Sequence, residues 1–164
     1  MVETRVPAPA QGGGALVQEN PRGRLEAGAR AMVAGFAGNN PHWDGVICLP
    51  GDPTHWVHLS AGEVVSFQSF LTVRLARALG AEEAVPDMGQ LGETMARPER
   101  LATHLRGAEL GGNRDCILGA LMGAELAAAK VYWLGQQVVV SGEGTLAEGY
   151  AAALRAQGVP VERI

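Results

Sequence analysis

Cysteine is nearly absent: Cys48 and Cys116 are the only two in 164 residues. Each lies inside an apolar segment, in neither a CxxC nor a CxxH pattern. That excludes a disulfide framework and a cysteine zinc site, and it fits free buried thiols in a reduced compartment. No uncharged apolar run is long enough to cross a bilayer, because the most apolar helical stretch carries Glu125 and Lys130. The first residues lack a signal-peptide pattern, so a cytoplasmic protein is expected. Positive charge is not in excess. Thirteen Lys and Arg against seventeen Asp and Glu give a net charge of −4, which argues against nucleic-acid partners and an anionic membrane surface. Histidine is sparse too. His55 and His58, three apart on a strand pattern, point to opposite faces and form no metal pair, while His42 and His104 read as surface residues.

What is present suits a globular domain. A chain of 164 residues, 47% hydrophobic and 18% charged, is one domain's worth with a sizeable core. Its 23 glycines, with abundant alanine, predict tight turns and closely packed helices.

The chain is organised around residues 44–72, DGVICLPGDPTHWVHLSAGEVVSFQSFLT. Residues 46–49 form an apolar run closed by Pro50-Gly51, the pattern of a strand buried on both faces. Residues 56–59 are the next strand, 60–63 a hairpin with Gly62 free to take positive φ, and 64–67 the returning strand. The polar turn holding Asp52, Thr54 and His55 therefore ends a buried strand, where backbone N–H groups and short side chains meet a ligand.

Around this centre, residues 1–21 mix Pro with a Gly triplet and no periodicity, and read as a flexible lead-in. Residues 23–38 place Leu25, Ala29, Met32, Val33 and Phe36 at helical spacing. A short helix at 73–79 stops at Gly80, residues 81–96 read as a connector, and Arg97-Pro98 opens another helix. The longest helical signal is 114–134, where Gly119, Gly123 and Ala127 form a smooth ridge for close approach to a sheet or second helix. Glu125 on this apolar helix either caps a buried network or reaches a ligand cleft. Trp56, Tyr132 and Trp133 read as core or interface packing. Residues 138–140 are a buried strand, followed by the small-residue turn Ser141-Gly142-Glu143-Gly144-Thr145, a helix at 146–156 and a last strand at 159–163. Strand, turn and helix N-terminus make a cradle for an anion or a nucleotide edge.

Several stretches resemble one family. Leu49-Pro50-Gly51-Asp52-Pro53-Thr54-His55-Trp56-Val57 and the FQSFLTVR of residues 67–74 are similar to the L-P-G-T-H-S-K-W-V and F-x-T-F-x-T-G-E motifs of the 2-dehydro-3-deoxygalactonokinases. GALMGAEL at 119–126 and YWLGQ at 132–136 match that family's helix and its exit closely. Arg22-Gly23 and Glu26 partially match its R-G-E-E-T-Q. The resemblance implies an α/β fold with a mixed sheet in the order βββαβαβ and packed helices. This would be the C-terminal lobe, at 22–164, of an actin-like ATPase (ribonuclease H-like) fold. The implied activity is transfer of the ATP γ-phosphoryl to the 6-hydroxyl of 2-dehydro-3-deoxygalactonate with Mg²⁺. Gly51, Thr54 and His55 would then be phosphate-binding, and Ser141, Gly142, Gly144 and Thr145 nucleotide-binding.

Two departures shape the expectation. The family's D-x-G-T-T phosphate loop is not found in this chain, so the N-terminal phosphate-loop lobe is expected to be missing and the chain incomplete or inactive alone. A lobe without its companion leaves an apolar face, from which a homodimer is expected. Second, Asp52 stands where the family motif has threonine, and Pro53 removes the next backbone donor. A carboxylate there repels polyphosphate unless Mg²⁺ intervenes. In the related glycerol-type kinases a Gly-Asp pair at the equivalent strand end supplies the catalytic base. Asp52 is accordingly a candidate base, a candidate metal ligand, or an Asp-Pro turn former. The alternatives to a sugar-acid kinase are a non-catalytic nucleotide- or partner-binding remnant and a small α/β protein sharing only ancestry.

Overall fold

The computed structural model describes residues 2–164. Its main sheet has six strands in the order β2 (Ala8–Pro9), β7 (Glu63–Phe70), β6 (Thr54–Ser60), β5 (Asp44–Leu49), β8 (Val138–Val140) and β9 (Val161–Arg163). At its centre, β5, β6 and β7 form an antiparallel meander. β8 pairs parallel to β5, and β9 parallel to β8. The expected succession of three strands, helices, strand, helix and strand is present, so the fold is mixed α/β.

β5 is buried on both faces, as its unbroken apolar run predicts. Val46 and Cys48 join one core with Trp56, Val140, Leu118, Met122, Leu126 and Tyr150. Ile47 and Leu49 join a second core with Val57, Leu59, Phe67, Leu25 and Val33. The β6–β7 hairpin turns on Ala61 and Gly62, both at positive φ (47° and 82°), the pairing that matches strand twist in a two-residue loop. The Ala61 N–H donates to Asp44 Oδ1 at 3.0 Å, which steadies the one non-glycine there.

The N-terminal segment corrects the expectation of a flexible lead-in. β1 (Glu3–Arg5), β3 (Ala15–Glu19) and β4 (Arg22–Leu25) form a small second sheet, and β2 (Ala8–Pro9) edges the main one. The cause is long-range. Arg30, buried in α1 (Ala27–Asn39), donates to the carbonyls of Pro9, Ala10, Gln11, Gly13 and Gly14. Gln18 bonds both the N–H and the C=O of Phe67 at 3.0 and 2.8 Å, which moors β3 to β7. The α1 helix consequently starts later than periodicity suggested, and Met32 faces solvent at 52% exposure.

α2 (Thr72–Ala78) follows β7 directly, and Gly80 ends it at φ 72°. Within the expected connector lies a helix, α3 (Met88–Ala96), started by Asp87 accepting the Gln90 N–H at 2.8 Å. A 3₁₀ turn (Pro98–Arg100) opens α4 (Leu101–Leu110). The long helical signal splits at Ala129 into α5 (Arg114–Ala128) and α6 (Lys130–Trp133). α7 (Thr145–Ala156) links β8 to β9. Among the described residues, no helix is long and apolar enough to cross a membrane.

Candidate functional site

β5 and β8 pair as Val46–Val138, Ile47–Val139 and Cys48–Val140, so their carboxyl ends lie level. Each strand runs into one of the two turns singled out from the sequence. The Ser141 N–H donates to the Cys48 carbonyl at 3.0 Å and stitches the exits together. From here the chain leaves β5 toward β6 and β8 toward β9, on opposite sides.

In the first turn, Thr54 and His55 face inward. Thr54 is fully buried, and its Oγ1 accepts the Gly51 N–H at 3.1 Å while lying 3.0 Å from the Gly51 carbonyl oxygen. His55 is buried with Nδ1 2.6 Å from Ser69 Oγ, and burial lowers its pKa against an opposing pull from Glu26. Neither side chain is presented to a ligand; both fix the shape of the turn. Glu26 itself lies at the start of α1, bonded by Arg24.

Asp52 is the corner that faces out. Its Oδ1 accepts from Arg74 Nε at 3.1 Å and its Oδ2 from Arg77 Nη1 at 3.0 Å. Arg77 also bonds Glu82. The Arg74 hydrogen bond, reinforced by Arg77, holds the Asp52 carboxyl below its ordinary pKa. Both guanidiniums are about half exposed, and with Asp52 and Glu82 they form a charge-balanced cluster of two cations and two carboxylates. Sequence reasoning missed them as a pair. Their three-residue spacing on α2 was the available signal, and the pairing of Thr54 with Phe70 is what brings the start of α2 beside the turn.

The second turn is open. Gly142 and Gly144 lie at φ 101° and 88°, a region that favours glycine. A Cβ on Gly144 would meet nothing within 4 Å, so a ligand has room to approach. Gly144 caps α7 without a side-chain hydrogen bond, which leaves the first-turn N–H groups uncapped. The Gly142 N–H is spent on the Ile164 carbonyl at 3.1 Å, so it does not serve a ligand. Ser141 is buried and Thr145 exposed.

Behind both turns lies Glu125, which resolves to the buried-network alternative. Its Oε1 accepts from Thr72 Oγ1 at 2.6 Å and from the Tyr150 hydroxyl at 3.0 Å, and Trp56 Nε1 lies 3.4 Å from Oε2. Burial pushes its pKa up to about 7, against the lowering effect of the three donors. The Tyr150 hydroxyl is also 3.2 Å from Thr54 Oγ1.

These side chains do not fit a resident metal ion. Both Asp52 oxygens are engaged by guanidiniums, and among the described residues no three His, Cys, Asp or Glu side chains converge. Asp52 as a direct metal ligand is thus at odds with its surroundings. The two cysteines are free, Cys48 buried and Cys116 half-buried.

The sequence model of the 2-keto-3-deoxy-galactonokinase family matches residues 27–94 and 78–164, which takes in both turns, Glu125 and the arginine pair. The chain belongs to that family. A crystal structure from Sinorhizobium meliloti, of a protein assigned as a 2-dehydro-3-deoxygalactonokinase, shares its fold with a TM-score of 0.77 at 22% identity. The match covers 92% of this galactonokinase-family chain and 58% of the Sinorhizobium chain. No curated protein matches.

Proposed function

We propose that this chain carries the nucleotide- and phosphate-facing part of a kinase that transfers the ATP γ-phosphoryl to the 6-hydroxyl of 2-dehydro-3-deoxygalactonate. The observation behind this is the juxtaposition of two turns at the level ends of β5 and β8, in a chain of the galactonokinase family. The strand order supports placing residues 22–164 in one lobe of an actin-like (ribonuclease H-like) fold, with three antiparallel strands extended by two parallel ones.

In this proposal the nucleotide lies along Ser141, Gly142, Gly144 and Thr145, with the uncapped N-terminus of α7 facing it. Its polyphosphate runs toward Gly51 and Asp52, where Arg74 and Arg77 balance its charge. Thr54 and His55 act from behind by holding that turn. Asp52, kept ionised by the arginines, accepts the proton of the attacking hydroxyl. Mg²⁺ arrives with ATP as part of the substrate. A cytoplasmic homodimer completes the proposal.

A second possibility, a non-catalytic nucleotide- or partner-binding protein, is favoured by one feature: Asp52 is held as an ion pair with a lowered pKa, which weakens it as a base. A coupled ADP-release assay over a panel of 2-keto-3-deoxy acids separates the two. Release fastest with 2-dehydro-3-deoxygalactonate supports the kinase. Mg·ATP binding without release above background, with a companion phosphate-loop lobe supplied as well as without it, supports the non-catalytic protein.

A further inference from the structure

Glu125 is costly where it stands. A carboxyl in a sealed apolar core is retained at a large desolvation cost, and an apolar side chain of similar volume would fill the space without it. Glu125 is only 3% exposed, on α5, between the sheet and the helices. Its three hydrogen bonds each go to a different element of the site. Thr72 begins α2, about two turns of helix that carry Arg74 and Arg77 on their outer side. Tyr150 lies in α7, whose first residue is Thr145 of the second turn. Trp56 lies in β6, two residues after Thr54.

One of these bonds continues outward. The Tyr150 hydroxyl reaches Thr54 Oγ1 at 3.2 Å, and Thr54 Oγ1 closes the turn on Gly51 at 3.1 and 3.0 Å. An unbroken chain of hydrogen bonds thus leads from a core carboxyl to the residue preceding Asp52. We propose that Glu125 is a positioning residue for this turn, acting through the Tyr150 and Thr54 hydroxyls on Gly51 and through Thr72 on the arginine helix. Its functional meaning rests on the turn's being the phosphate side of the kinase.

Proton bookkeeping gives the chain a direction. As a carboxylate, Glu125 accepts from Thr72 and Tyr150 together at Oε1. A proton added there must displace one of these donors. If the Tyr150 hydroxyl turns, it receives from Glu125 and donates to Thr54 Oγ1, whose own hydrogen goes to the Gly51 carbonyl. The Gly51 N–H keeps its acceptor in both states, but the polarity of the chain reverses, and cooperative chains respond to such a reversal. The other titratable groups facing Glu125 are Cys48 and Tyr150, both pushed up by burial, so neither titrates with it near neutrality.

The test uses the full chain and amide NMR, with Mg·ATP binding measured by calorimetry on the same samples. In wild type the Gly51 and Asp52 amide shifts should titrate with the Glu125 carboxyl carbon, near pH 7. Tyr150→Phe keeps the ring and leaves Glu125 titrating, but Gly51 should cease to follow it, and Mg·ATP binding should weaken about tenfold, the worth of one net hydrogen bond. Thr54→Val should reproduce that loss and Thr54→Ser should restore it, a rescue that simple packing does not predict. Gly51 shifts that follow Glu125 equally well in Tyr150→Phe, or never follow it in wild type, overturn the proposal. If Gly51 follows Glu125 but no variant, wild type included, binds Mg·ATP, positioning stands and the phosphate assignment of the turn falls.

Discussion

Gly123 on α5 lies so close to α3 that a Cβ would stand 2.4 Å from the Leu91 carbonyl oxygen. Gly119, one turn earlier, would meet the Asp87 carbonyl at 2.5 Å. The glycine ridge therefore receives a second helix, and its neighbours are backbone atoms that have no rotamer to yield. Gly123→Ala is expected to destabilise the fold by about 1–3 kcal/mol through overpacking, despite alanine's better helix propensity. Gly35→Ala is the control. Gly35 sits in α1 with nothing within 4 Å of its would-be Cβ, so a gain of roughly 0.5–1 kcal/mol is expected. Urea denaturation of both variants checks the pair, and a stabilised Gly123→Ala would contradict the close α3–α5 contact.

Arg30 gives the second prediction. It is 4% exposed, and its partners are all carbonyl oxygens of residues 9–14. Arg30→Ala removes every donor at once, and the stranded carbonyls should make the loss about 3 kcal/mol or more. The loss is expected to be local first. Hydrogen exchange should speed up at residues 8–14 while β5 and β6 keep their protection. Uniform acceleration would mean that the segment is not a separate cooperative unit.

Much of this was legible in the sequence, and the exceptions share a cause. β5, β8 and the β6–β7 hairpin follow from apolar runs and Gly62, which are local signals. The strands at 3–5, 15–19 and 22–25 depend on Arg30 and Gln18 reaching across the fold, and periodicity does not record that. α3 is hidden because its capping residue, Asp87, falls in a stretch without clear periodicity. The two turns are legible from their glycines and prolines, but which of their groups face out is not. Thr54 and His55 are polar and looked available, yet both serve the turn internally. Arg74 and Arg77 looked like ordinary helix surface until β7 placed α2 beside Asp52.

Self-association is the third prediction. Leu75 of α2 and its two cap residues, Leu71 and Leu79, fall on one line, joined by successive backbone bonds, at 48%, 47% and 39% exposure. A leucine line of this kind usually finds a neighbour. Light scattering is expected to show a dimer across the micromolar range, and Leu75→Lys should return it to monomer. A monomeric wild type would remove the homodimer.

The fourth prediction concerns stability and pH. Burial raises the Glu125 pKa from 4.5 to about 7, so the folded chain holds a proton that the unfolded chain gives up. Its contribution is complete below the unfolded value and is lost as pH rises through the folded one. Stability should fall by ~3 kcal/mol between about pH 4.5 and 7 from this group, then level off. His55 works in the opposite sense, since burial lowers its pKa. The difference between wild type and Glu125→Gln therefore isolates the effect. Melting curves over that range should converge in slope to His55 alone in the variant. An unchanged slope would place the Glu125 pKa near its ordinary value.

Asp52 supplies the last prediction, because its two possible roles respond differently to one substitution. The arginines lower its pKa, so it is already ionised well below neutrality and imposes no acid limb on turnover between about pH 5 and 8. If Asp52 takes the hydroxyl proton, Asp52→Asn should cut kcat by about a hundredfold or more with folding intact. If it only forms the turn and pairs the arginines, kcat should hold. Mg·ATP should then bind more tightly, because a negative charge has left the corner and Arg74 has been freed, while Arg77 stays paired with Glu82. The expected outcome is the first: loss of kcat with unchanged or tighter Mg·ATP binding. An acid limb that nevertheless appears near pH 7 in wild type must come from another group, and Glu125 combines a pKa raised to about 7 with hydrogen bonds that reach the turn. Such a limb should vanish in Tyr150→Phe and persist in Asp52→Asn, whatever rate remains.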